Sequence, residues 1–351
     1  MEIKIKTAVL KKITAIAEKG VGADKNQPIT SYLHLYTKEG IFYIDSTDGY
    51  RFLTVSSKLA ECTDGSCIVL AEPFIKLVNK TTKEDVKLNL LDTLLVFKGN
   101  GTYKIPILDE EFLSYEFNAG TKEEINIDKI KNVIAIGKNS IAPDDESFGA
   151  LRGYLFGDKV VATDSIKMCL VNTKLVEKPM LVNQSMARLI NVIPEEKGTL
   201  QYAEGKILIE TETVKLFGAA LNEIDQYPDL SVVLDNEFSS NCLLNKNVML
   251  DILDRLDIFV SPYDKNAVKL QFGKDGIVIT EVNGDGIEKI SYSGSTDFKE
   301  FEIPLDITML KDIINAVQAD TFRLYYGNDD LIKIEDKDTV ELLCRWDDSD
   351  E

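Results

Sequence analysis

The sequence predicts an α+β fold of three tandem units, each with two helices packed on antiparallel sheets. Three observations carry this reading. First, a strand, a Thr-acid pair, a short turn and a second strand recur. The copies are Tyr43–Val55 around Thr47-Asp48, Val160–Val171 around Thr163-Asp164, and a looser Ile277–Tyr292 around Thr280-Glu281. The three threonines lie 116 and 117 positions apart. Solenoid repeats run ~20–50 residues, so this is duplication of a whole domain. Second, apolar stripes of helical period recur at matching spacing. Third, the stretches between them alternate with period two and are broken by Gly, Asn and Asp.

The elements come in a regular order. Met1–Lys6 opens as an alternating strand. Segment 7–19 aligns Val9, Ile13, Ile16 and Ala17 on one helical stripe. Segment 126–138 does so with Ile127, Ile130, Ile134 and Gly137, and segment 245–258 with Val248, Ile252 and Leu256, Phe259 closing it. Each unit then carries a second helix: 72–80 (Phe74, Leu77, Val78), 183–193 (Met186, Leu189, Ile190, Ile193) and 304–318 (Leu310, Ile313, Ile314, Val317). Asn126 and Asn183 read as N-caps and Pro304 as a first-turn proline. Val86–Leu90, Leu94–Phe97, Ile207–Glu210 and Val268–Phe272 read as strands, with turns at Lys98–Thr102 and Asn283–Gly286. The units span 1–118, 119–238 and 239–351, with about eight strands each. The acidic tail Asp347–Glu351 reads as a solvated end.

Composition removes several classes of function. The 351 residues are 44% hydrophobic, enough for sizeable cores. No apolar run reaches the ~20 residues that span a bilayer, and the N-terminus lacks a signal-peptide core. Five scattered cysteines are an odd number and fit reduced thiols in a cytoplasm. A single histidine, His34, excludes a multi-His metal site and sits in an alternating strand as a sheet-face residue. There is no phosphate-binding glycine loop. Cys62 and Cys67 have no second cysteine pair to complete a zinc site. Asp144-Asp145-Glu146 and Asp329-Asp330 lack calcium-loop spacing. These absences predict a binding protein with no cofactor, no metal and no catalytic site.

Charge is distributed unevenly. The net charge is −19, yet the six helical segments sum to +4, which leaves −23 elsewhere. The basic surplus lies on the first four helices. Lys11, Lys12 and Lys19 flank Ala15, and Lys131 and Lys138 flank Ala135. Small residues between lysines allow close approach to a phosphate backbone, whereas a merely solvated helix should share the global acidity.

Specific motifs sharpen the reading. Leu151-Arg-Gly-Tyr-Leu155-Phe-Gly precedes Val161-Ala-Thr163-Asp164-Ser165, and Ile224-Asp-Gln-Tyr227-Pro228-Asp229 lies downstream. Gly276–Thr280, Ile290–Gly294 and Leu331–Asp336 come next, in order. Together they make the chain resemble the bacterial sliding clamp, the beta subunit of DNA polymerase III, over essentially its whole length. The departures are Ser165-Ile166-Lys167 in place of Gly-His-Arg, a shorter hairpin near Gly157-Asp158, and the ending Cys344-Arg345-Trp346. They mark a divergent member, of the kind a phage or mobile element encodes.

The resemblance implies a head-to-tail homodimeric ring around duplex DNA, conferring processivity, with polymerase and clamp loader docking through short peptides. It implies DNA contacts from Lys11, Lys12, Lys19, Lys25, Lys76, Lys80, Lys131, Lys138 and Arg188. It implies a peptide pocket of Leu155, Thr163, Met168, Pro228, Val232, Val233, Leu342, Cys344 and Trp346, with Lys167 at the rim. Ile107 and Leu108, at a first-domain edge, would meet Phe259 and Val260 across the ring junction. A clamp-fold scaffold or inhibitor that no longer loads on DNA is the alternative.

Overall fold

The computed structural model describes residues 1–59, 61–117, 121–143, 148–260, 266–282, 284–294 and 299–346. The boundary at 118/119, the cluster Asp144-Asp145-Glu146, Asn283 and the tail from Asp347 lie outside them. Two units emerge, Met1–Lys131 with Ser185–Ala220, and Asn132–Gln184 with Leu221–Glu351. The first holds a 13-stranded sheet and the second an 8-stranded and a 4-stranded sheet. The strand ladders are antiparallel throughout.

The helices are α1 (Thr7–Ala17), α2 (Ala71–Lys80), α3 (Ile127–Gly137), α4 (Gln184–Ile190), α5 (Ser231–Leu234), α6 (Lys246–Leu256) and α7 (Ile307–Ala316). Six of them match the six periodic segments. Periodicity overran their ends because short 3-10 turns, Glu18–Gly20 and Asp257–Phe259, extend the apolar spacing past α1 and α6. Among the described residues no helix is long and apolar enough to cross a membrane.

Caps fix the starts. Asn126 Oδ1 accepts the Lys129 N–H at 2.7 Å. Asn245 does the same for Val248 at 3.0 Å and Asp306 for Met309 at 2.8 Å. Pro304 is therefore not a first-turn proline. It lies in the strand Phe301–Asp306, at an edge of the 4-stranded sheet, where a missing N–H is tolerated. Two stripe residues are also misplaced by periodicity alone. Val9 and Val248 are exposed, and Leu10 and Met249, one position on, are buried.

The duplicated turn repeats bond by bond. Thr47 Oγ1 donates to the Arg51 carbonyl at 2.7 Å and accepts the Gly49 N–H at 3.0 Å. Asp48 Oδ1 accepts the Tyr50 and Arg51 N–H groups at 3.0 and 2.8 Å. Thr163 Oγ1 likewise donates to the Lys167 carbonyl at 2.7 Å and accepts the Ser165 N–H at 3.1 Å. Asp164 Oδ1 accepts from Ile166 and Lys167 at 3.0 and 2.7 Å. The Thr-acid pair is thus a turn-closing device that bonds its own backbone. The third copy is looser, in keeping with its sequence: Glu281 N–H reaches the Gly286 carbonyl across a longer loop.

Gly49 and Ser165 occupy the same left-handed position, at φ +92° and +78°. Side chains there cost about 1–2 kcal/mol, against about 0.5–1 kcal/mol of extra chain entropy for glycine. Gly49→Ala should therefore lower unfolding free energy by about 0.5–1 kcal/mol, and Ser165→Gly should raise it by about as much. Urea denaturation of both variants checks the pair.

Candidate docking face and nucleic-acid interface

In the second unit the strand Lys167–Val171 leaves the Thr163 turn and pairs with Thr339–Cys344, Met168 opposite Leu342 and Leu170 opposite Val340. Val161 faces Leu170, Thr163 faces Met168, and Leu155 faces Val161. Side chains alternate along a strand, so this register puts Leu155, Val161, Thr163, Met168, Leu170, Leu342 and Cys344 on one face. There Val161, Met168, Leu170, Leu331 and Leu342 form a buried apolar cluster. Leu155, Tyr227, Leu230 and Val233 pack against it half-buried. α5 and the segment before it supply that cover.

The structure thus gathers Leu155, Met168, Val233 and Leu342, and places Thr163 and Cys344 on the same face. Pro228 is exposed, and Val232 is 74% exposed on the outside of α5. Trp346 is half-buried, and its backbone N–H donates to the Pro304 carbonyl at 3.0 Å. Val161, Leu170, Tyr227, Leu230 and Leu331 were missed. The alternation of Val161 with Thr163 and of Met168 with Leu170 carried the signal for two of them.

Lys167 is not at a rim. It alternates to the opposite face, where its side chain is 8% exposed and its ammonium lies 2.9 Å from Asp312 of α7 and 3.6 Å from Asp164. Beneath that same face lies Glu341, opposite Cys169 in the ladder. Burial pushes the Glu341 carboxyl up to about 8, against the opposing pull of Cys169, Ser140 and the Lys167 charge.

The linkage has a definite sign. Between the ordinary carboxyl value of about 4.3 and about 8, folded Glu341 holds a proton that the unfolded chain releases. Its contribution to stability therefore falls as pH rises through that window and is constant above it. Relative to Glu341→Gln, the wild-type protein should lose on the order of a few kcal/mol between pH 5 and pH 8. Parallel denaturation curves at the two pH values measure this.

An exposed apolar patch sits at the end of α6. Ile258 is 77% and Phe259 53% exposed. Beside them runs Ile287–Ile290, an edge of the 4-stranded sheet that is unpaired among the described residues, with Ile287 65% exposed. Arg255 of α6 grips Glu288 of that edge through two hydrogen bonds. Val260, by contrast, is half-buried against the core beneath. Ile107 and Leu108 are not at a sheet edge: they pair with Val69 and Ile68, and the Ile107 N–H reaches the Thr93 carbonyl. Both are half-buried. Ile258 and Ile287 were missed because a turn and a short strand give no periodic pattern.

Of the basic residues, Lys12, Lys19, Lys25, Lys76, Lys80, Lys138 and Arg188 are exposed and Lys11 is half-exposed. Lys76 pairs with Glu72 one turn back, and Lys131 pairs with Asp128 at 3.0 Å. Lys11, Lys12, Lys19, Lys25, Lys80 and Lys138 make no ion pair among the described residues. Lys11 and Lys12 on α1 and Lys19 in the 3-10 turn that follows it flank an exposed Ala15 in sequence.

Known proteins share this fold. No family model matches the chain. The chain is similar to the Bacillus subtilis DNA polymerase sliding clamp, with a TM-score of 0.89 at 17% identity over 99% of each chain. It is equally similar to the Streptococcus pneumoniae DNA polymerase III beta chain, with a TM-score of 0.90 at 15% identity over 99% of each. The fold is that of a sliding clamp. In sequence, the beta sliding clamp of Rickettsia bellii is 22% identical over 328 residues, covering 84% of this chain and 85% of that protein. That of Rickettsia felis is 22% identical over 341 residues, covering 87% and 88%. In sequence and in fold the chain is thus similar to bacterial beta sliding clamps, at a distance that marks wide divergence.

Proposed function

We propose that this protein is a DNA sliding clamp: a homodimeric ring that encircles duplex DNA and tethers a polymerase to it. The observation that carries this reading is the basic face of α1 on a chain of net charge −19. Its unpaired lysines flank a small residue, which suits sequence-independent contact with phosphates. Topological linkage then needs only weak contacts, and the acidic remainder of the surface discourages DNA elsewhere. The ring is a binding device acting in the cytoplasm, without enzymatic activity. The same lysines disfavour a scaffold that no longer loads on DNA.

Three domains, 1–118, 119–238 and 239–351, complete the reading. They are supported by the helix starts at residues 7, 127 and 246 and by the duplicated Thr-acid turns. The apolar face around Met168 and Leu342 is read as the peptide-docking site for polymerase and clamp loader. The apolar patch at Ile258, Phe259 and Ile287 is read as the subunit junction, since an unpaired apolar edge invites a partner.

Two experiments test this. Reversing Lys11, Lys12 and Lys19 to Glu should leave dimer mass unchanged. It should also cut clamp-dependent processive synthesis by tenfold or more and flatten the salt dependence by up to about 0.9 per lost contact. Retention of the wild-type protein on nicked circular but not linearised DNA, after incubation with a clamp loader, is the companion readout. The double variant Ile258→Asp with Phe259→Asp should give monomers with native circular dichroism. A dimer mass in sedimentation equilibrium would contradict the proposed junction.

A further inference from the structure

A cleft of about 630 Å³ opens in the first unit beside the junction of Phe52–Lys58 with Val214–Ala219. Its position reflects the duplication. Phe52 opposes Phe217 as Met168 opposes Leu342, and Thr54 opposes Lys215 as Leu170 opposes Val340. His34 opposes Asp45 as Leu155 opposes Val161. A segment of chain covers each face. Tyr227 and Leu230 do so in the second unit. In the first, Tyr115 stacks on Phe217 at 4.0 Å and Phe112 on His34 at 5.4 Å. The cleft is therefore the internal copy of the docking face.

The copy has different chemistry. Where the second unit has Leu155, Val161 and Leu170, the first has His34, Asp45 and Thr54, joined by hydrogen bonds. His34 Nδ1 lies 3.1 Å from Asp45 Oδ2, and Thr54 Oγ1 donates to Asp45 Oδ1 at 2.7 Å. Each carboxylate oxygen keeps a lone pair beyond these bonds. The walls are aromatic: Tyr36 and Tyr43 stack at 4.8 Å with Tyr115 also lining the space. Three carboxylates, Asp45, Glu210 and Glu212, face two ammonium groups, Lys38 and Lys215. Glu210 is already held by Lys215 at 3.3 Å and Lys122 at 3.2 Å, and Glu212 lies 3.8 Å from Lys58, so Asp45 is the lining carboxylate with no lysine partner among the described residues.

We propose that this cleft is a second peptide-docking site and that it takes an arginine side chain of a partner segment. A planar guanidinium stacks on tyrosine faces and donates to a fixed carboxylate, and the acidic chain steers basic segments toward it. The parallel with the Met168–Leu342 face rests on the docking reading above, while the cleft and its charge do not.

His34 is the only histidine and is hydrogen-bonded to the cleft-lining Asp45, so its imidazole NMR signals give an unambiguous probe beside the cleft. Titrating Ac-Gly-Arg-Gly-amide into the full-length protein at physiological salt should shift them saturably. The isosteric citrulline peptide should not. Asp45→Asn should weaken the response at least tenfold. Tyr43→Leu, which keeps the strand apolar, should weaken it too and carries the test if Asp45→Asn loses its native circular dichroism. Leu155→Asp, which damages the other face, should leave the response intact. The proposal is overturned if the arginine peptide gives no saturable shift, if citrulline matches it, or if Tyr43→Leu and Asp45→Asn both leave it unchanged. Loss through Leu155→Asp instead would also overturn it.

Discussion

The apolar face and the aromatic cleft both depend on strand pairing between residues far apart in the chain, made directly after a Thr-acid turn. The turn delivers Phe52 against Phe217 in one unit and Met168 against Leu342 in the other. Register in such a ladder is unforgiving, because a slip of one residue sends each side chain to the opposite face. The Thr and Asp side chains hold the turn by bonding its backbone. The register of the strand leaving the turn is thereby fixed at its first residue.

From that register two faces of opposite character arise on a single strand. Met168 and Leu170 turn outward to the apolar cluster. Lys167 and Cys169 turn inward, toward Asp312 and Glu341. A buried lysine held by carboxylates is a poor source of net stability, since desolvation offsets much of the attraction. Breaking it would leave a charge stranded. The pair thus fixes where α7 sits against the strand more than it adds to stability. Glu341, kept protonated by burial near neutral pH, adds no second charge to that layer.

The apolar surface obeys a similar constraint. Most large aliphatic residues are interior, but Ile258, Phe259 and Ile287 are left outside beside an unpaired strand edge. An edge of this kind is an aggregation hazard in a free monomer. It is tolerable where a second subunit covers it, which matches the assembly proposed for the fold.

The helices and the duplicated Thr-acid turn were legible in the sequence. These rest on local periods and on spacing, and α1, α3 and α6 begin where the stripes predicted them. Leu155, Met168 and Leu342, which the motif resemblance grouped, share one face of the sheet. Lys167 and Pro304 were misjudged for one shared reason. Which face a residue takes, and which strand lies beside it, are set by pairing with partners distant in the chain. Local pattern has no access to that pairing. Only the folded chain reveals that Lys167 turns inward to Asp312, that the Trp346 N–H reaches the Pro304 carbonyl, and that Asp45 and Thr54 line one cleft with His34 bonded to Asp45 beside it. Each depends on register across a sheet, where a single residue of offset reverses inside and outside.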